Sequence, residues 1–456
     1  MTANFTITKG LDIPMEGAPG DSLRTVSAQG PISIYPSEYK KVKFKLLVAE
    51  GDTVKQGGAL ARRKDQEDFL LRSPVAGTVK TVRLGDRRSL EEIVVEPNGS
   101  DECETFASYT VDGLMRASRE KLLGILKDTG FMALVRQRPF NIIAEADKTP
   151  KSIFVNGMNT APFRPDAHVL VRGKEQELQA GLNALTRLTD GPVHLCLAAE
   201  NAEAADALTQ AAHVQVNFFK GPHPSGNTST HIHYLDPVMP GDTVWTLRVS
   251  DVLRIGELLL NGVIPATQTV MIAGNGVKPE MRGYVTVRTG APLADVFAGA
   301  LEDGETRVIR GDALYGDKAS LDGGVGFFDQ GYVVLPEDRE RIFLGWYAPT
   351  KEIYSAHKVV PSNWIKGKRF AFGTNQRGGH RALVLTGIYD KYVPLDIMVD
   401  PLSRVCLAND TDEAIALGIL ETDPEDFALC TFVCPSKTDF GAIVADTLSL
   451  IQEEGF

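Results

Sequence analysis

Three histidines stand close together in the run Gly221-Pro222-His223-Pro224-Ser225-Gly226-Asn227-Thr228-Ser229-Thr230-His231-Ile232-His233. On a strand, residues two apart share a face, so His231 and His233 there form a chelating pair, with His223 as a third ligand. The run contains no thiol or carboxylate, and Asp236 becomes a fourth ligand only if the chain bends. Two other uses compete with metal binding. One is hydrogen bonding among polar loop groups; the other is contact with a ligand or a partner protein through His223, Ser225, Thr230, His231 and His233.

Arg136, Arg138 and Arg164 are rich in donors and suit an acidic partner surface, with solvated surface arginines as the plainer alternative. Cys430 and Cys434 precede Pro435, but a four-iron cluster needs four thiolates and this region supplies two. Buried small side chains are the expectation there. No Ser-His-Asp order, paired carboxylate site or phosphate loop stands out, and His357 and His380 are isolated, so no catalytic residue is assigned.

A chain of 456 residues, 43% hydrophobic and 23% charged, exceeds what one core organises and implies several domains. The formal net charge of -11 argues against a nucleic-acid partner and against a broadly basic membrane-binding surface. Apolar runs such as Ile93-Val94-Val95 are strand-sized, far below the ~20 residues that span a bilayer. The N-terminus lacks a basic region followed by an apolar core, so the chain is expected to stay in the cytoplasm. Five scattered cysteines do not make a disulfide framework.

The elements that must position these groups follow from periodicity. Residues 40–96 read as short strands cut by turns at Glu50-Gly51-Asp52, Gly57-Gly58 and Ser73-Pro74. This pattern resembles the biotinyl/lipoyl half-barrel sandwich. A swinging-arm carrier of that fold needs a lysine at an exposed hairpin tip, and Lys64 lies too early for it, which favours a scaffold. From 112 to 140 the chain looks helical, with Leu122, Leu123 and Leu126 on one stripe and Gly130 as the stop. Strands at Ile153–Asn156, His194–Leu197 and Val214–Phe218 alternate with helices at Glu175–Leu188 and Asn201–Ala212, which makes an open α/β domain with a parallel sheet. Residues 264–316 are β again and resemble a soluble-ligand-binding β-grasp module. The chain after 395 reads as helices, with Asp410 and Asp412 suited to helix N-termini.

The fold class is therefore multidomain α/β, in five segments: an N-terminal β domain with half-barrels (1–110), an α/β domain (111–262), a β-grasp module (263–320), a mixed β extension (321–394) and a helical region (395–456). This order is similar to the flavin-bearing NADH-oxidising subunit of respiratory complex I and to the C subunit of the Rnf complex. Segments from end to end more closely resemble the A-subunit family of the sodium-translocating NADH:quinone reductases. They include Lys9-Gly10-Leu11-Asp12, Arg138-Pro139-Phe140, the 221–226 and 230–233 stretches, Val393-Pro394-Leu395-Asp396 and Ala428 to Pro435.

The resemblance implies a cofactor-free peripheral subunit on the cytoplasmic face of a bacterial inner membrane. Five partner subunits, B to F, would carry FMN, FAD, riboflavin and an iron-sulfur centre, and the complex would reduce ubiquinone. Where the complex I relative has a glycine-rich flavin loop, Thr129 to Pro139 holds one glycine, too few to bring backbone amides to a phosphate. Gly274-Asn275-Gly276 lies in a β turn, which is weak evidence for a dinucleotide. A quinone headgroup has two carbonyl oxygens and needs donors, so the His-rich loop, with Arg136 and Arg138, is the quinone or subunit contact candidate. The alternatives are an adaptor in an Rnf-like complex and a free-standing flavin NADH dehydrogenase.

Overall fold

The computed structural model describes residues 3–28, 30–340, 343, 352–384 and 386–455. Part of the 321–394 extension therefore lies outside the described residues.

Alternating apolar positions between turns build two small sheets that face each other. One holds Ile32–Ile34, Leu90–Pro97, Gly77–Leu84 and Thr53–Val54; the other holds Phe44–Leu46, Ala59–Arg63 and Leu70–Arg72. Ile32, Leu60, Phe69, Val79, Ile93 and Val95 fill the space between them. The expected turn at residues 50–52 is present: Asp52 accepts the Ala49 amide at 2.7 Å.

A seven-stranded sheet forms the α/β unit, in the order Asn4–Thr6, Gln215–Lys220, Val193–Ala198, Ser152–Asn156, Val244–Arg248, Arg136–Arg138 and Ile142–Ile143. Its first five strands run parallel, and the last two turn antiparallel. Ser152–Asn156 is buried on both faces, as helix-covered parallel strands are. Glu175–Thr186 and Val249–Asn261 are its long helices.

Two expectations in this region change. The helical reading of 112–140 covers a short helix Val111–Leu114, the helix Arg119–Asp128, a 3-10 turn Phe131–Leu134 and the strand Arg136–Arg138. Gly130 does stop the main helix, at φ 78°, a conformation that costs a side chain but not glycine. The helix expected over Asn201–Ala212 is absent beyond turns. There Asp206 caps its own chain at Leu208 and Thr209 and pairs with His168, so a side chain competes with the helical ladder.

The β-grasp region is a six-stranded sheet ordered Asp317–Ala319, Thr306–Arg310, Gly331–Pro336, Thr267–Ala273, Gly283–Arg288 and Leu23–Val26. The N-terminal segment is thus shared out: Asn4–Thr6 pairs with Gln215–Lys220, and Leu23–Val26 with Gly283–Arg288. Helices Val399–Leu407, Thr411–Ala416, Ala428–Val433 and Phe440–Glu454 enclose a separate core around Tyr389, Leu402, Phe427 and Phe440. Asp410 caps its helix by accepting the Glu413 amide at 3.1 Å, and Asp412 lies in that helix's first turn. Cys430 and Cys434 are buried in this core. Among the described residues, no helix is long and apolar enough to cross a membrane.

Candidate functional site

The His-rich segment leaves the strand Gln215–Lys220, turns, and enters the helix Thr228–Leu235 rather than a strand. Thr, Ile and His favour strands weakly, but Asn227 takes extended angles before the first helical residue and lets the next turn close. Residues two apart on a helix point ~200° from one another, so the shared-face pair inferred from strand spacing does not form. His231 is fully buried with its ring 4.4 Å from that of Phe219. His233 emerges on the other side, its Nδ1 3.2 Å from Glu421. Among the described residues, no group of three or more His, Cys, Asp or Glu is placed to hold a metal ion.

The loop's polar groups close on one another. The Ser225 hydroxyl donates to the Gly221 carbonyl at 2.8 Å, the Thr230 hydroxyl to the Pro224 carbonyl at 3.0 Å, and His231 Nε2 lies 3.1 Å from the Ser225 carbonyl. His223 Nδ1 meets the Thr160 hydroxyl at 3.0 Å, and the same hydroxyl accepts the Gly226 amide. Burial pushes His231 down to about 3. It pushes His223 down to about 4, with Asp312 and Glu425 opposing and Arg164 adding to the fall. Both rings are neutral at neutral pH and act as fixed hydrogen-bonding groups.

The chain's opening segment is seated on this loop. The Leu11 amide donates to the His223 carbonyl at 2.8 Å, and the His223 amide to Asp12 at 3.0 Å. At Gly10, with φ 135°, a Cβ would lie 2.1 Å from the His223 carbonyl oxygen, so a side chain there is excluded.

The arginines, expected at the surface, turn inward to acids of the same chain. The Arg138 guanidinium donates to the Ser229 hydroxyl at 3.1 Å and lies 3.3 Å from Asp423. Arg138 Nε and Asp423 Oδ2 lack directed hydrogen bonds among the described residues, so this is a contact of charges. Arg164 bridges Asp312 of the β-grasp sheet at 2.9 Å and Glu425 of the helical region at 2.7 Å. Burial alone would raise Glu425, but the Arg164 guanidinium holds it down at about 2. Half-buried Arg136 donates to Asn141, and burial followed by the charge of Arg248 lowers it to about 10.

Sequence reasoning missed the acids Asp312, Asp423, Glu425 and Asp426. Asp426 accepts from the Asn227 amide group at 2.9 Å, which ties the start of the His-bearing helix to the C-terminal region. Asp423-Pro424-Glu425-Asp426 is a helix-start signature, a capping acid followed by proline and further acids. That signal was available, although the partners of these acids were not.

A second feature has no local motif. Where the half-barrels meet the α/β and β-grasp units, a narrow cleft of about 40 Å³, partly open to solvent, is lined by Tyr35, Tyr39, Phe131, Arg254, Thr289 and Phe327 among others. Arg254 stacks 4.3 Å over Phe327 and 5.4 Å from Phe131. Arg254 Nε and the Thr289 hydroxyl are buried without hydrogen-bond partners among the described residues. Glu38, nearby, is pushed up to about 7 by burial and by Asp329, against Arg310.

Half-barrels, an α/β unit, a β-grasp sheet and a helical region, joined by buried ion pairs, define a multidomain α/β protein. Three of its stretches match family models: residues 5–98 the NqrA N-terminal barrel-sandwich hybrid domain, 117–264 the NqrA second alpha/beta domain, and 269–320 the NQRA C-terminal domain. The chain is 38% identical over 452 residues to the A subunit of the Na(+)-translocating NADH-quinone reductase of Yersinia pseudotuberculosis, covering 98% of this chain and 99% of that one. It is 38% identical to the protein of the same name from Pasteurella multocida, covering 99% and 100%. The chain belongs to the A-subunit family of the Na+-translocating NADH-quinone reductases. Among solved structures, an NAD+-reducing [NiFe]-hydrogenase in the H2-reduced state shows a loose likeness, with TM-score 0.41 and 14% identity over 75% of this chain and 63% of that one.

Proposed function

We propose that this chain serves as the peripheral, cofactor-free A subunit of a Na+-translocating NADH:quinone reductase, on the cytoplasmic face of a bacterial inner membrane. In that complex NADH and a proton reduce ubiquinone to ubiquinol, leaving NAD+, and the reaction drives Na+ out of the cytoplasm. FMN, FAD, riboflavin and the iron-sulfur centre belong to the partner subunits B to F, through which this chain meets the membrane complex. The observation that carries this reading is 38% identity spread over 98% of the chain. Identity across the whole length does not favour the Rnf-like adaptor or the free-standing flavin dehydrogenase.

Within the complex we infer a structural role close to the quinone-reducing end. Of the loop candidates, His223, Ser225, Thr230, His231 and Arg138 are buried, while His233 and Arg136 are partly exposed. Direct contact with quinone or a partner protein therefore falls to His233 and Arg136, with the others holding the loop in shape. The narrow aromatic-lined cleft at Arg254 offers two donors without partners among the described residues, Arg254 Nε and the Thr289 hydroxyl, which suit a carbonyl acceptor once the cleft opens to admit it.

The test is to tag the chain, solubilise membranes gently and assay the purified material for Na+-stimulated NADH:quinone reductase activity. A multi-subunit, flavin-containing, Na+-dependent complex is the expected result. A colourless protein recovered alone would point to an adaptor, and a yellow one to a free-standing dehydrogenase. His233→Ala and Thr289→Val, each in the assembled complex, then separate the loop from the cleft by which one raises the quinone KM.

A further inference from the structure

The net charge of -11 conceals a strong segregation. From Ile353 to Tyr389 the sequence contains no Asp or Glu, yet it carries Lys358, Lys366, Lys368, Arg369, Arg377 and Arg381. The same stretch displays large apolar side chains to solvent: Trp364 is 81% exposed, Val359 71%, Val384 56% and Ile365 42%. Isolated exposed apolar residues are ordinary. Here a tryptophan and two aliphatic side chains lie within seven residues of each other on one loop, flanked by Lys358 and Lys366.

The two ends of the stretch are brought together by the fold. His357 Nε2 lies 3.2 Å from the Val433 carbonyl, and the Arg381 amide donates to the Ser436 carbonyl at 2.9 Å. Both parts are thus anchored at the turn that follows the helix Ala428–Val433. A 3-10 turn, Pro361–Trp364, presents the tryptophan. Lys368 is paired with Glu352 at 3.1 Å, whereas no ion pair among the described residues engages Lys358 or Lys366.

We propose that the 357–369 loop, with the 377–384 segment beside it, is an interfacial membrane contact that seats Trp364, Val359 and Ile365 among anionic lipid headgroups. Tryptophan sits at the headgroup level because its ring is apolar and its N–H is wet. The cations around it complement the lipid phosphates, and each basic side chain near an anionic surface strengthens partitioning roughly fivefold. This goes beyond attachment through partner subunits: the chain touches lipid itself, next to its helical region. An acidic protein overall is repelled by an anionic surface, so approach needs a locally basic face; Glu352 neutralises Lys368 and Asp338 lies 3.5 Å from Arg377, which leaves Lys358, Lys366 and Arg381 as cations that no ion pair engages among the described residues.

The test uses the purified full-length chain with phosphatidylcholine vesicles, with and without phosphatidylglycerol. Expected are co-sedimentation with the anionic vesicles only, a blue shift of tryptophan emission that Trp364→Phe removes, and release at about 0.5 M salt, where screening is nearly complete. Lys358→Glu with Lys366→Glu should weaken partitioning at least tenfold, with an unchanged circular dichroism spectrum showing that the fold is kept. No sedimentation, equal binding to neutral vesicles, or unaltered binding by the lysine variant would overturn the proposal. So would a Trp364→Ser variant that binds vesicles normally but no longer recovers partner subunits from detergent extracts, which makes the patch a protein contact. Membership of the complex is read separately, from Na+-stimulated activity.

Discussion

Arg138 and Asp423 meet at 3.3 Å with both side chains buried, joining the antiparallel edge of the α/β sheet to the C-terminal helical region. Removing one partner of such a pair leaves the other charge stranded in the interior, at a cost of about 3–5 kcal/mol. Arg138→Ala is expected to lower the urea midpoint accordingly. Replacing both residues together, Arg138→Met with Asp423→Leu, should recover much of the loss.

Asp426, beside that pair, makes stability depend on pH. Burial, reinforced by the charge of Asp423 and opposed by Arg138, pushes its carboxyl up to about 7 from the ordinary 3.8. A carboxyl raised on folding contributes stability that is complete below about pH 4 and lost as pH climbs to about 7. Asp426→Asn keeps an acceptor for Asn227 and cannot ionise. Its stability relative to the unaltered chain should improve by roughly 2 kcal/mol between pH 5 and pH 8, read from urea titrations at both values. An equal difference at the two pH values would show that the carboxyl is already ionised in the folded chain.

The two histidines of the helix should behave as opposites. His231→Ala empties a packed site against Phe219 and is expected to cost roughly 2–4 kcal/mol. His233→Ala breaks a partly exposed contact with Glu421 and should cost under about 1 kcal/mol. His231 and His223 are depressed on folding, to about 3 and about 4. The stability they contribute is present above about pH 6.5 and lost as pH falls through those values. Thermal shift assays from pH 7 to pH 4 should show this acid loss, and His231→Ala should reduce it.

Thiol labelling checks the helical core. Cys103 is partly exposed, while Cys196, Cys406, Cys430 and Cys434 are buried. Alkylation under native conditions, followed by mass spectrometry, is expected to modify Cys103 alone, with the other four reacting only in denaturant.

Much of the architecture was legible because it is written in local periodicity. Glu175–Leu188 is a long, strongly patterned stretch and Ile153–Asn156 a short apolar run ahead of it, and they fold as read, as Glu175–Thr186 and Ser152–Asn156. Asn4–Thr6 and Leu23–Val26 were not legible, since neither is an unbroken apolar run, both are partly exposed, and their partners lie hundreds of positions away. The helix Thr228–Leu235 was not legible because the run reads as a polar loop: Thr, Ser and His are middling helix formers, and the packing of His231 on Phe219 comes from the fold. The site's acids were invisible for a different reason. Arg164 finds Asp312 and Glu425, and Asn227 finds Asp426, through the fold alone. A sequence shows that a charge exists but not which distant charge neutralises it.

The pairing of Asn4–Thr6 with Gln215–Lys220 sets a timetable for the ribosome. At about 5–20 residues per second, roughly 10–40 s separate the synthesis of Phe5 from that of Phe219, its partner in the sheet. The strand Leu23–Val26 waits longer still, for Gly283–Arg288. Through that interval the front of the nascent chain has no template to pair with, and the half-barrels can close behind it. A bulky fusion at the N-terminus would therefore burden a late event of assembly rather than the earliest, the docking of the first dozen residues on a loop made some two hundred positions after them.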